Sequence, residues 1–123
     1  MKRFVRTTTT ALLLAVMSAC ASSADPAPDQ PLVAVTNDHP LRVTVDVVTD
    51  AGEDYRLGAV ETAGEEIFQI PRHVSTLDVR FLVDPLGSTS THLTEDVAVT
   101  GGSYVELDIR SNLDLTSVSV RNR

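Results

Sequence analysis

The run "DPLGSTSTHLTED" (84–96) gathers Ser88, Ser90, His92, Glu95 and Asp96 within thirteen residues. These are the residue types of a nucleophile, base and acid set, in which an imidazole oriented by a carboxylate takes the proton of a hydroxyl. Such sets draw their members from separated elements that a rigid scaffold brings together. Here they crowd one short polar run, and no G-x-S-x-G elbow occurs in the chain. The run reads as a loop, and no catalytic residue is assigned. As the longest exposed connection expected, it offers Ser88, Ser90 and His92 as a contact surface.

Other chemistry is thinner. His39, His73 and His92 are far apart in sequence, without the close His, Cys or carboxylate spacing of a metal site. They read as loop histidines. The acidic turns "TDAGED" and "GEE" lack the D-x-[DN]-x-[DN]-G order that converges oxygens on calcium. No metal or cofactor is expected. Carbohydrate sites commonly use exposed aromatic rings, and past the first nineteen residues the aromatics are Tyr55, Phe68, Phe81 and Tyr104. Both Phe fall on apolar faces. Tyr104 falls on a polar face and keeps a glycan-binding alternative open.

The elements that must hold these residues are strands. "LRVTVDVV" places Leu41, Val43, Val45 and Val47 on one face, "LDVRFLV" does so with Leu77, Val79, Phe81 and Val83, and "YVELDI" with Val105, Leu107 and Ile109. Weaker strands are expected over 32–36, 55–60, 67–70, 95–100 and 117–121. Directly opposed residues share a face, so parity sets the hairpins. A loop Asp50-Ala51-Gly52 opposes Val47 with Tyr55, Val45 with Leu57 and Val43 with Ala59. A loop Thr100-Gly101-Gly102 opposes Val97 with Val105. Each puts Gly at the third loop position, where a left-handed residue is needed. Seven to eight short strands with one apolar face each predict an all-β domain, a single antiparallel two-sheet sandwich over 32–123.

The N-terminus has its own logic. Lys2, Arg3 and Arg6 precede a polar run and then the apolar run 11–17, too short to span a bilayer, followed by Ser18, Ala19 and the only cysteine, Cys20. With no second cysteine, an internal disulfide is excluded. "ALLLAVMSAC" resembles the lipobox of bacterial lipoproteins, with Met17 where Leu is usual. The resemblance implies a signal peptide over 1–19 and a diacylglycerol thioether on Cys20 as first mature residue. It also implies an exported protein held by lipid, in the outer membrane of a two-membrane cell because Ala21 is not Asp. Several acyl chains hold firmly, at about 0.8 kcal/mol per buried CH₂. "ASSADPAPDQP" (21–31) has three prolines and no large apolar side chain, so 20–31 reads as a lipidated cysteine and an extended tether of about 3 Å per residue.

Removing residues 1–19 takes three of the ten basic groups and none of the 17 acidic ones, leaving seven Arg and a formal charge of −10. That balance argues against nucleic acid or anionic headgroups as partners. "VTVDVVTDAGEDYRLGAVETAGEEIFQIP" also resembles carboxypeptidase-regulatory-like and transthyretin-like modules, through Asp50, Gly52, Gly64, Phe68, Ile70 and Pro71. That resemblance covers about a quarter of the chain and implies a binding or structural module. The expectation is a non-enzymatic, membrane-anchored accessory or scaffolding module that meets an envelope protein, with Ser88, Ser90, His92 and Tyr104 as contact residues. The alternative is a cell-surface glycan- or small-molecule-binding protein.

Overall fold

Valine at alternate positions builds most of the core, because each strand then turns one β-branched face inward. The computed structural model describes residues 29–74 and 78–122. The signal, Cys20, most of the expected tether and Leu77 lie outside them. The described strands are β1 (Leu32–Asn37), β2 (Val43–Thr49), β3 (Asp54–Val60), β4 (Glu65–Gln69), β5 (Asp78–Pro85), β6 (His92–Leu93), β7 (Val97–Ala98), β8 (Ser103–Ile109) and β9 (Ser117–Asn122). One-turn 3₁₀ segments occupy Arg72–Val74 and Leu113–Leu115. The strands form two sheets, ordered β4-β1-β8-β9 and β3-β2-β5-β6, with β7 also on β5. Val33, Val35, Val105, Leu107 and Ile109 of the first sheet meet Val43, Val45, Val47, Val79, Phe81 and Val83 of the second in one fully buried cluster. Phe81 is the largest of these side chains, and burying one such ring contributes about 1.5–3 kcal/mol.

The two-sheet, all-β expectation holds, with nine described strands rather than seven or eight. It is not purely antiparallel: β1 runs parallel to β8, with Val33 opposite Val105 and Val35 opposite Leu107. Period-two alternation is the same for either direction, so the pattern carries no sign of this choice. Leu41 lies ahead of β2 and is 40% exposed, outside the inward face expected of it.

Near its turn, the β2–β3 hairpin has the expected register. Val47 opposes Tyr55, and Gly52 takes a left-handed φ of 85°. Beyond Asp46 a bulge shifts the pairing, so Val45 opposes Gly58 and Val43 opposes Val60, not Leu57 and Ala59. The bulge lets Tyr55, Leu57 and Val60 all reach the core. Gly58 is required there, since a Cβ would lie 2.6 Å from Phe68 Cε1 of the facing sheet.

The hairpin expected around Thr100-Gly101-Gly102 does not form. The turn is present, with Ser103 N–H donating to the Thr100 carbonyl at 3.1 Å and Gly102 at φ 81°. Its arms go to different sheets: Val97 pairs with Val79, and Val105 with Val33 and Val120. The turn is a crossover at one end of the sandwich. Of the expected strand 95–100 only β7 is a strand, and the expected 67–70 strand is Glu65–Gln69, whose Ile67 faces outward.

Candidate functional site

β1 and β8 end, and β2 begins, at one end of the sandwich. Three connections meet there: β1–β2 with His39, β5–β6 with Ser88–Thr91, and β8–β9 with Ser111–Asp114. Together they line a cleft of about 590 Å³.

Side chains hold each connection. Asn37 is fully buried, and its Nδ2 donates to the Leu41 and Val60 carbonyls, both at 3.0 Å. Its Oδ1 accepts the His39 N–H at 2.9 Å, so one amide joins β1, the loop and β3. The Leu41 N–H donates to His39 Nδ1 at 3.1 Å, which leaves Nε2 as the protonated nitrogen of the neutral ring. In the second connection the Ser90 N–H donates to Ser88 Oγ at 3.0 Å. In the third, Asn112 Oδ1 accepts the Asp114 N–H at 3.1 Å and caps the 3₁₀ turn Leu113–Leu115. The connections are also tied to neighbouring strands and to one another, by Asp38 N–H to the Ile109 carbonyl and Leu86 N–H to the Arg42 carbonyl, both 2.8 Å.

The lining that results is polar: five hydroxyls (Ser88, Thr89, Ser90, Thr91, Ser111), Asn112, His39 and the carboxylate of Asp114, with Leu113 packed down onto the core. No Arg or Lys lines it. The ion pairs among the described residues are Arg42–Glu61, Arg56–Asp46, Arg72–Asp29, Arg80–Asp96 and Arg121–Glu106, so Asp114 pairs with no cation among the described residues. Each of the three connections also carries one exposed large apolar side chain. Leu41, Leu86 and Leu115 are 40%, 63% and 66% exposed, and each lies within two residues of a lining residue.

The expected contact residues divide. Ser88 and Ser90 line the cleft. His92 belongs to β6, opposite Val83, and is not part of the lining. The 84–96 run is therefore not one long loop: it contains the end of β5, the strand β6 and the buried Thr94, whose hydroxyl accepts the Phe81 N–H at 2.9 Å. Tyr104 lies near the opposite end, on the outer face of the first sheet. Arg121 faces it across β9 with its guanidinium 5.2 Å from the ring centroid, and reaches Glu106 at 3.1 Å. That cation covers the ring face a sugar would stack on. His73 meets Tyr55 edge-on, with centroids 4.7 Å apart. Sequence reasoning missed His39, Ser111, Asn112 and Asp114 as cleft residues. The Asn-x-Asp spacing of "SNLD" signals a capped turn, but nothing local brings that turn to residues 88–91.

The outer face of the second sheet carries further charge chemistry. Asp46 is nearly buried beneath Arg56. A hydrogen bond shared with Asp46, together with burial and the neighbouring charge, raises the Asp54 carboxyl above its ordinary value. Asp96 is lowered, chiefly by its hydrogen bond from Arg80. Among the described residues no three His, Cys, Asp or Glu side chains are grouped to hold a metal ion, and no helix is long and apolar enough to cross a membrane.

At the end opposite the cleft, backbone bonds seat the incoming chain. Asp29–Pro31, which the composition places in the tether, docks here: the Gly102 N–H donates to the Asp29 carbonyl and the Ile70 N–H to that of Pro31, both at 2.9 Å. Arg72 adds an exposed ion pair to Asp29 at 3.2 Å. The chain thus enters the domain at the end remote from the cleft.

No family model matches the chain, and no curated protein matches it. Among solved structures it is similar to a protein from Eubacterium rectale whose structure was determined by NMR. The two share 12% identity over 81% of this chain and 94% of the other, with a TM-score of 0.48.

Proposed function

We propose that the chain is a non-enzymatic binding module of the cell envelope, held to a membrane by a lipidated Cys20 and engaging a partner protein through its cleft end. The observation that carries this reading is that the three connections lining the polar cleft each also carry one exposed leucine, Leu41, Leu86 and Leu115. Apolar side chains grouped on a surface otherwise rich in carboxylates are characteristic of contact sites between proteins. The entry of Asp29–Pro31 at the other end supports it, because a tether leaving there presents the cleft away from the bilayer. Tethering also raises the concentration of the domain near other membrane-bound proteins.

The competing reading is a glycan or small polar molecule, favoured by the five hydroxyls of the lining. A photo-crosslinking residue in place of Leu86, and separately in place of Ile67 on the first sheet, discriminates surfaces in the protein's own cells. One stoichiometric envelope protein captured from position 86 and not from 67, and lost with Cys20→Ala, is the expected result. Absence of a crosslinked protein at both positions would overturn the reading.

A further inference from the structure

We infer that the partner inserts a cationic side chain, arginine or lysine, into the cleft, with the Asp114 carboxylate as its counter-charge. This rests on the protein-contact reading and names the chemistry of the contact. The cleft offers acceptors in excess. Five hydroxyls each carry lone pairs, Asp114 supplies two carboxylate oxygens, and no Arg or Lys among the lining residues competes for them. Arginines elsewhere on the surface are already engaged: Arg42, Arg56, Arg72, Arg80 and Arg121 each take a carboxylate, and among the described residues Asp114, like several other carboxylates, has no ion pair. Arg42, the arginine of the β1–β2 connection, is turned to Glu61. Arg110 precedes the lining residue Ser111 without lining the cleft itself.

An anionic ligand would therefore find one carboxylate and no fixed cation, whereas a guanidinium or ammonium finds a charge-assisted acceptor inside a ring of hydroxyls. The flanking leucines and Leu113 suit the methylene stem of such a side chain, which packs on apolar surface while its charged head reaches polar groups. The net charge of −10 past residue 19 adds the same sign of attraction at longer range.

The test uses amide spectra of the isotope-labelled full chain, titrated with four probes: N-acetyl-arginine amide, N-acetyl-lysine amide, N-acetyl-citrulline amide and maltose. The expected result is saturable shifts at residues 88–91 and 111–114 with the two cationic probes, weakening as salt is raised. Citrulline and maltose are expected to shift neither segment. Asp114→Asn keeps the acceptor oxygen and should weaken the cationic probes at least about fivefold, while Asp96→Asn on the second sheet should leave them unchanged. Equal binding of citrulline, shifts from maltose alone, or no shift from any probe would each overturn the inference. Capture of a protein from position 86 together with any of those results would leave the contact reading standing without it.

Discussion

The two ends of this sandwich differ in what holds the segments that matter there. At the chain-entry end, backbone amides of Ile70 and Gly102 hold the incoming strand, the Ser103 and Thr49 hydroxyls accept the Thr100 and Glu53 N–H groups of the turns, and the Arg72–Asp29 ion pair is exposed on both sides. At the cleft end, side chains add to the backbone bonds within the three connections that line the cleft: Asn37, His39, Ser88 and Asn112 each tie down a backbone N–H. Backbone closure tolerates almost any sequence and leaves little chemistry behind. Side-chain closure demands particular residues and stiffens the loops, so the remaining hydroxyls and Asp114 stand in fixed positions around a cavity. Preorganised loops lose less entropy on binding, which favours the contact surface proposed for this end.

That contrast can be broken most easily at Asn37. Asn37→Ala leaves the buried Val60 carbonyl without its donor and frees the β1–β2 loop, so urea unfolding should show a loss of about 2–4 kcal/mol. A loss under about 1 kcal/mol would mean that the cleft end does not depend on its side chains. Between the two ends, Gly58→Ala drives a methyl into Phe68 and should cost about 1–3 kcal/mol in the same assay. At the entry end, Arg72→Gln should change stability by no more than about 0.5 kcal/mol, because backbone bonds hold Asp29 in place. A larger loss there would erase the distinction between the ends.

The smallest effect is one of sign. The Asp54 carboxyl has a raised folded value, so its contribution is present below the ordinary 3.8 and is lost as pH rises through the folded value. Asp54→Asn keeps a donor toward Asp46 without the second negative charge. Its melting temperature should exceed the parent's at pH 7, and the two should converge as pH falls below about 4. Asp96 titrates in both proteins, its contribution fading as pH falls through its lowered value, so it cancels from the difference. A variant less stable than the parent at pH 7 would remove the shared hydrogen bond from the account.

Much of this was legible in the residues, and what was not has physical reasons. Alternation marked β2, β5 and β8 most clearly, because in those strands a full apolar face is buried, and β1, β3 and β9 more weakly. It could not mark β6, whose two residues show no period, or tell a parallel β1–β8 pair from an antiparallel one. The Gly101-Gly102 turn was readable from local chemistry, whereas the separation of Val97 from Val105 depends on which sheet each strand joins. Gly58 permits the bulge, but the ring of Phe68 that requires it comes from the other sheet. For the site, Ser88 and Ser90 stood out as polar loop residues. Their meeting with His39 and Asp114 depends on loops far apart in sequence converging at one end, which no local pattern records. Tyr104 shows the converse: its strand face was readable, and the Arg121 lying over it was not.

The parallel pairing of β1 with β8 also governs when the domain can exist. Its first strand lies between β4 and β8 in the first sheet, and residues 32–37 wait for 103–109 before both of their edges are filled. A nascent chain can form the β2–β3 hairpin as soon as it emerges, but the first sheet cannot close until residues 103–109 have been made as well. Long-range pairing of this kind is slow compared with local turns. For the membrane-anchored reading proposed above, that delay keeps residues 32–102 from closing the first sheet on their own.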